Sequence, residues 1–254
     1  MAEFFEIIIL SATQGISEFI PVSSSAHLYL ISEVQNFEIK SLLTDVSLHL
    51  GSLLAILFYF KEDFLKLFKD KKLLKLLVFG SLPLVLVGFV VFKTGLINHF
   101  RNIEVIAWTT IIFAIFLYIA DKFTIRKKIE TDLDLRSILA IGIFQVLALV
   151  PGVSRAGIVI TAGRLLNFDR YDSTKISFYL SVPAIAGASF LNLKELTFSN
   201  IEINFMVLLA VICSFIFSYI TIKYFLIFVK KFSMNFFVIY RICLGLILFW
   251  FIYT

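Results

Sequence analysis

The 254-residue sequence is short of charge: 16% of its residues are Asp, Glu, Lys or Arg, against roughly 25% in a soluble domain. A chain with so little charge cannot cover a soluble surface. It is also poor in proline, with 4, while it holds 30 phenylalanines, and that balance excludes a disordered polymer. Cys213 and Cys243 are its two cysteines, and both lie inside apolar runs. Neither a disulfide nor a cysteine metal site is expected from them. The first apolar stretch lacks a basic segment in front of it. Glu3 and Glu6 stand there instead, so a cleaved secretory signal is not expected.

What the chain does have is apolar surface. Sixty per cent of its residues are hydrophobic, and its mean hydropathy is +0.97. The excess must face lipid. The expected class is an all-α integral membrane protein forming a single membrane domain, 1–254. Six runs come close to the roughly 20 residues a spanning helix needs: 45–60, 73–93, 104–121, 174–193, 204–224 and 236–253. Two further apolar stretches are interrupted. Residues 4–34 contain Gly15, Glu18, Pro21 and a run of serines. Residues 137–166 contain Gln145, Pro151, Gly152, Ser154 and Arg155. Each piece of these is too short to cross, so each stretch reads as a re-entrant helix hairpin.

The net charge of +5 reads as a topology signal rather than as affinity for nucleic acid. Seventeen basic residues fall on one set of loops (61–75, 122–136, 164–175 and 223–231). Four, Lys40, Lys93, Arg101 and Lys194, fall on the other set. The richer set is expected in the cytoplasm, which puts both termini outside. The first hairpin then enters from outside and the second from inside.

One offset, 131 residues, carries Gln14 onto Gln145, Ser23 onto Ser154 and the first three spans onto the last three. The expected architecture is therefore a repeat with halves 1–125 and 132–254, each a hairpin followed by three spans. Three is odd, so the second half is inverted. Such repeats place a polar site where their breaks meet.

The first break holds Gln14, Glu18, Pro21, Ser23, Ser24, Ser25 and His27; the second holds Pro151, Gly152, Ser154 and Arg155. In each, a turn is followed by a new helix whose free N–H groups suit an anion. Arg155 adds a fork of donors matched to phosphate. Glu18 is the one carboxylate in either break. A carboxylate, a histidine, serine hydroxyls and an arginine in a dry slot can support phosphoryl transfer. Blander readings stand beside this one. Glu18 and Arg155 could pair only to lower the cost of burial, the serines could be caps, and His27 could be a satisfied buried histidine. His49 and His99 read as packing or surface residues, and Glu6 as an interfacial one.

At these residues the sequence resembles the undecaprenyl-diphosphate phosphatases of bacterial membranes. The first family motif stands here as Gln14 to His27. The second stands as Pro151-Gly152-Val153-Ser154-Arg155-Ala156, with Gly163-Arg164-Leu165-Leu166 and the stretch from Ser177 to Ala184 also similar. Gln14 occupies a position where some members have Glu, and Ala156 replaces a second serine. The resemblance implies hydrolysis of a C55 polyprenyl diphosphate to the monophosphate carrier of cell-wall synthesis. It also implies a divalent cation, Mg²⁺ or Ca²⁺, reaction on the outward side of the cytoplasmic membrane, and contact with membrane lipid; oligomeric state stays open. It makes Glu18, Ser24, His27 and Arg155 the catalytic candidates, with Glu18 also the candidate metal ligand. Gln14, Ser23, Ser25, Ser154 and Gly152 are the substrate-binding candidates. Either Ser24, with His27 as base, or His27 itself could be the nucleophile. A lipid-phosphate flippase or an anion transporter is the alternative function.

Overall fold

The computed structural model describes residues 2–35, 42–67, 71–96, 100, 102–125, 127–195 and 205–253. His99 and the loop charges Lys40, Lys69, Arg101 and Arg126 lie outside these residues, as do the side chains of Ser25 and Lys194. Among the described residues the protein is helical throughout apart from turns and one isolated bridge, between Lys127 and Phe168.

Among the described residues, five helices are long and apolar enough to cross a membrane: α3 (Leu42–Tyr59), α5 (Lys71–Thr94), α6 (Ile103–Asp121), α11 (Phe205–Lys231) and α12 (Asn235–Tyr253). Their outward faces carry large apolar side chains, including Leu86, Phe89, Trp108, Ile239 and Trp250. These are the surfaces that lipid covers. The sixth expected span, 174–193, falls within α10 (Arg170–Glu195), a helix of 26 residues. At 1.5 Å per residue it is about 39 Å long, ample for a crossing. It is not one of the five because Ser173, Thr174, Ser177, Ser181 and Ser189 dilute its apolar character. Those positions are buried in protein, so α10 does not need the composition of a lipid-facing helix.

The two interrupted stretches are helix–break–helix. The first consists of α1 (Ala2–Ser17) and α2 (Ser24–Gln35). The second consists of α8 (Leu135–Val146), a 3-10 turn at Leu147–Leu149 and α9 (Arg155–Leu165). Helices of 12 and 11 residues reach about 18 and 16 Å, well short of a hydrocarbon core of about 30 Å. Two short helices, α4 (Lys61–Leu67) and α7 (Ile129–Asp132), lie between spans.

The packing interleaves the chain. Helix α1 lies along α11, and α8 lies along α5; α3 packs on α11 and α10, and α6 on α12. Close approach depends on small residues, as it does between helices in lipid. A Cβ on Gly142 of α8 would fall 2.2 Å from the Gly80 carbonyl of α5. Between α3 and α11, the Ser52 hydroxyl meets those of Ser214 and Ser218 at 3.2 and 2.9 Å, and Ser214 donates to the Leu48 carbonyl.

Arg164 counts among the seventeen loop cations by sequence, yet it is 1% exposed. Its guanidinium donates to the carbonyls of Asp121, Phe123 and Phe168, and it lies 3.5 Å from the Asp121 carboxylate. Arg170 makes two hydrogen bonds to the same carboxylate, at 2.7 and 2.9 Å. Arg164 thus ties the end of α9 to the end of α6 and is not a freely solvated topology charge.

Candidate active site

Helix α1 ends at Ser17, and Pro21, which lacks an N–H and disfavours α-geometry at Ile20, keeps it from resuming. Two turns of irregular backbone follow, and Ser24 opens α2. In the second stretch the chain unwinds after Leu149, passes Pro151 and Gly152, and Ser154 caps α9 by accepting the Gly157 N–H at 3.1 Å. The residues just before the two new helices share an uncommon backbone: Ser23 has φ 77° and Ser154 φ 69°. Each costs on the order of 1–3 kcal/mol, and such strain gathers at functional sites. Gly152 has φ 90°, and a Cβ there would fall 2.1 Å from the Thr109 hydroxyl. Only glycine fits that turn.

The two breaks meet at a cavity of about 250 Å³, lined by Ser17, Glu18, Ser23 and Ser24 from one and by residues 148–152, Ser154 and Arg155 from the other. At its wall Arg155 donates to a Glu18 carboxylate oxygen at 2.9 Å, with both side chains about a tenth exposed (12% and 10%). Arg155 also donates to the carbonyl of Ser177 on α10, at 3.1 Å, and to that of Glu18, at 3.3 Å. Gln14 donates to the second Glu18 oxygen at 3.0 Å, as expected for residues four apart on one helix face. The Glu18–Arg155 pair is therefore real. It lines the cavity, so pairing and function are not exclusive here.

Among the candidates, Glu18, Ser23, Ser24, Gly152, Ser154 and Arg155 line one cavity, and Gln14 stands directly behind Glu18. His27 is placed differently. Its Nδ1 is 2.7 Å from the Ser23 carbonyl, its Nε2 is 2.5 Å from the Tyr240 hydroxyl, and its ring stacks on that of Tyr240. Both ring nitrogens are engaged, and His27 is not part of the cavity lining. His49 bonds the Asp45 carbonyl at 2.8 Å through Nδ1, in keeping with a packing role.

Two residues that the sequence reading missed belong to this region. Tyr240 holds His27. Arg241, wholly buried on α12, donates to carbonyls of both breaks and of α6. Arg241 had a legible signal, a cation in the middle of an otherwise apolar span, and charge at that depth is functional by default. Tyr240 had none, since an aromatic in such a span reads as lipid-facing.

The sequence matches the family described as bacitracin resistance protein BacA over residues 7–247. The chain belongs to that family. Curated relatives bear the name undecaprenyl-diphosphatase. One from Pelagibacter ubique (strain HTCC1062) is 56% identical over 254 residues, covering 100% of this chain and 99% of its own. One from Elusimicrobium minutum (strain Pei191) is 40% identical, covering 95% of each chain. One from Alteromonas mediterranea is 38% identical, covering 98% of this chain and 99% of its own. With the family, the five apolar spans make this a multi-pass membrane protein.

The site's donors set what kind of cation it could accept. No group of three or more His, Cys, Asp or Glu side chains converges among the described residues, and both Glu18 oxygens already accept hydrogen bonds. A resident ion in a protein cage does not fit this set. An ion that arrives on a diphosphate does, because Mg²⁺ in such sites takes one or two carboxylates and fills its shell with phosphate oxygens and water.

A second cavity, of about 270 Å³, lies near the ends of α4, α5, α7 and α10. There Asp63 accepts from the Tyr179 hydroxyl at 2.7 Å and pairs with Lys175 at 3.1 Å. Burial works to raise the Asp63 carboxyl pKa, but Tyr179 and Lys175 outweigh it and hold the group below its ordinary value. This is a satisfied ionic cluster joining α4 to α10.

Proposed function

We propose that the protein is an undecaprenyl-diphosphate phosphatase: it hydrolyses undecaprenyl diphosphate to undecaprenyl phosphate and inorganic phosphate, returning the lipid carrier to cell-wall synthesis. Full-length similarity to proteins of that name supports the activity. The observation that carries the chemistry is the cavity where the starts of α2 and α9 meet, with Glu18, Ser24 and Arg155 on its wall. Helix N-termini and a guanidinium offer what a diphosphate needs, and apolar helix faces offer what its C55 tail needs.

In this reading the Ser24 hydroxyl oxygen attacks the terminal phosphorus. The bond from that phosphorus to the bridging oxygen breaks, and the lipid monophosphate leaves with the bridging oxygen. The hydroxyl proton passes to the Glu18 carboxylate. Water then cleaves the phosphoserine ester, releasing inorganic phosphate and restoring the hydroxyl. Arg155 and the N–H groups at Ser154 and beyond hold the equatorial oxygens, where charge accumulates. A divalent cation carried on the diphosphate would supply further neutralisation, with Glu18 its protein ligand. The occupied nitrogens of His27 favour Ser24 over His27 as nucleophile, and favour a positioning role for His27, fixing Ser23 at the start of α2. Gln14 orients Glu18; Ser23, Ser154 and Gly152 shape the phosphate cradle, and Ser25 is a substrate-binding candidate by its motif alone.

The architecture that goes with this function is an inverted repeat within one membrane domain, with both termini and the site facing outward. Three features support it: the shared offset of 131 residues, the matching strained serines at its two ends, and the reciprocal docking of α1 on α11 and α8 on α5. The deciding experiment measures phosphate release from undecaprenyl diphosphate by purified protein in detergent. With no second compartment, release demands an enzyme. Its absence, with lipid phosphate moving across vesicles instead, would replace the phosphatase by a flippase.

A further inference from the structure

The Glu18–Arg155 pair is a positive and a negative charge in contact, so to a distant anion it contributes little. Yet the cavity must attract a highly charged diphosphate out of a lipid surface. The cation left over lies one layer deeper. Arg241 is 0% exposed on α12, and among the described residues no carboxylate is within ion-pair reach of it. Its guanidinium is spent on carbonyls. Nε donates to Thr110 of α6 at 3.1 Å. One terminal nitrogen donates to Gly152 and Val153 of the second break at 3.0 and 3.1 Å. The other reaches toward Pro21 of the first break at 3.5 Å. Three segments are thus fastened by one side chain, and two of them are the breaks that form the cavity wall.

Resting on the phosphatase reading above, we propose that Arg241 is the positioning residue of the phosphate site and the source of its unbalanced positive charge. Two physical arguments support this. Carbonyls freed where helices are broken must be satisfied at depth, and a planar five-donor fork can serve both breaks at once where a lysine cannot. A buried cation with no counter-ion is costly to maintain, and an anion bound just above it is the natural partner. The site is therefore built one negative charge short, and the substrate supplies the charge.

The two roles separate experimentally. Arg241→Gln removes charge and keeps a polar head; Arg241→Lys keeps charge and loses the fork. Purified variants are compared with wild type in detergent for kcat and KM on undecaprenyl diphosphate, inhibition by inorganic phosphate, and thermal melting. Arg241→Gln should weaken phosphate inhibition and raise KM by on the order of tenfold or more, the scale of one lost charge–charge attraction in a partly wet site. Arg241→Lys should hold phosphate within about threefold of wild type while kcat falls on the order of 10²-fold, because the breaks are no longer registered. Gly157→Ala covers the case in which those variants fail to fold. A Cβ at Gly157 lies 2.9 Å from the outer Arg241 nitrogen, so it displaces the guanidinium without removing it. It should lower kcat by about tenfold with KM unchanged, as misplacement by a fraction of an ångström does. Folded Arg241→Gln with wild-type phosphate affinity, equal losses in the Gln and Lys variants, or a fully active Gly157→Ala would each overturn the proposal. If wild type itself releases no phosphate, the phosphatase reading has failed instead.

Discussion

Glu18→Gln separates the structural from the chemical meaning of the Glu18–Arg155 pair, because it preserves shape and removes one charge. Glu18 accepts from Arg155 at 2.9 Å and from Gln14 at 3.0 Å. The new amide can still accept from Arg155. Its NH₂ then faces the NH₂ of Gln14, but Gln14 can turn over, since its own amide oxygen has no hydrogen-bond partner among the described residues. What is lost is the ion pair. Breaking a fully buried pair costs about 3–5 kcal/mol. Here both side chains are about a tenth exposed, and Arg155 keeps its bonds to the Ser177 and Glu18 carbonyls. A loss of about 1–2 kcal/mol is therefore expected, or a fall in melting temperature of about 2–8 °C at this chain length. The catalytic loss should be larger. Glu18 is the proton acceptor of the proposed mechanism, and removing such a group costs about 10²–10⁴ in rate. Substrate affinity should move the other way: an Arg155 freed from its partner binds phosphate more tightly, by about tenfold. The signature is a folded protein with low kcat, unchanged or lowered KM, and stronger inhibition by inorganic phosphate, all measured by phosphate release in detergent. Unchanged kcat, or weaker phosphate inhibition, would refute the reasoning and leave Glu18 as a counter-ion alone.

Arg155→Lys keeps the charge but cannot serve Glu18 and Ser177 together while gripping phosphate in a fork. Its kcat should fall on the order of 10²–10³-fold, and near-wild-type turnover would remove Arg155 from the phosphate clamp. Gly152→Ala places a methyl 2.1 Å from the Thr109 hydroxyl at a φ of 90°. Membrane yield and melting temperature should both drop, and a wild-type melt would show that the turn adapts. The outward placement of the C-terminus is tested by single cysteines at Lys71 and Thr254 in a background without Cys213 and Cys243. An impermeant reagent applied to intact cells should label position 254 and spare 71; labelling of both would break the topology.

The sequence signals that held were local ones. Pro21 and the serines after it, and Pro151-Gly152 with Ser154, announce the two breaks because proline, glycine and capping serine act on their own few residues. Ser24 and Arg155 begin α2 and α9 as that reasoning requires. Gln14 and Glu18 share a face because both sit on α1. What stayed hidden depends on which segments meet. Arg164 looks like a loop cation until Asp121, more than forty residues away, is seen beside it. The partner of His27 is hidden too, since Tyr240 on its second nitrogen lies 213 residues away. Arg241 was visible as a charge in an apolar span, but its four carbonyl partners lie on segments 88 to 220 residues distant.

The polarity of α10 follows from the same site. A helix facing lipid at this length would carry the composition of α11 or α12. Helix α10 instead holds a row of buried serines and a threonine, and packs on α9 and α3. Its Ser177 carbonyl takes one branch of the Arg155 fork, and the buried side-chain hydroxyl of that serine has no hydrogen-bond partner among the described residues. Near its start, Lys175 and Tyr179 hold Asp63 of α4. One end of α10 is thereby fixed by an ionic cluster, and its middle supports the guanidinium that faces the cavity. Backbone strained at Ser23 and Ser154 persists only when its surroundings determine it from several sides. Here α10 acts from one side through Arg155, and α12 acts from the other through Arg241 and Tyr240. The broken helices bring the starts of α2 and α9 to one cavity, and two unbroken helices hold them there.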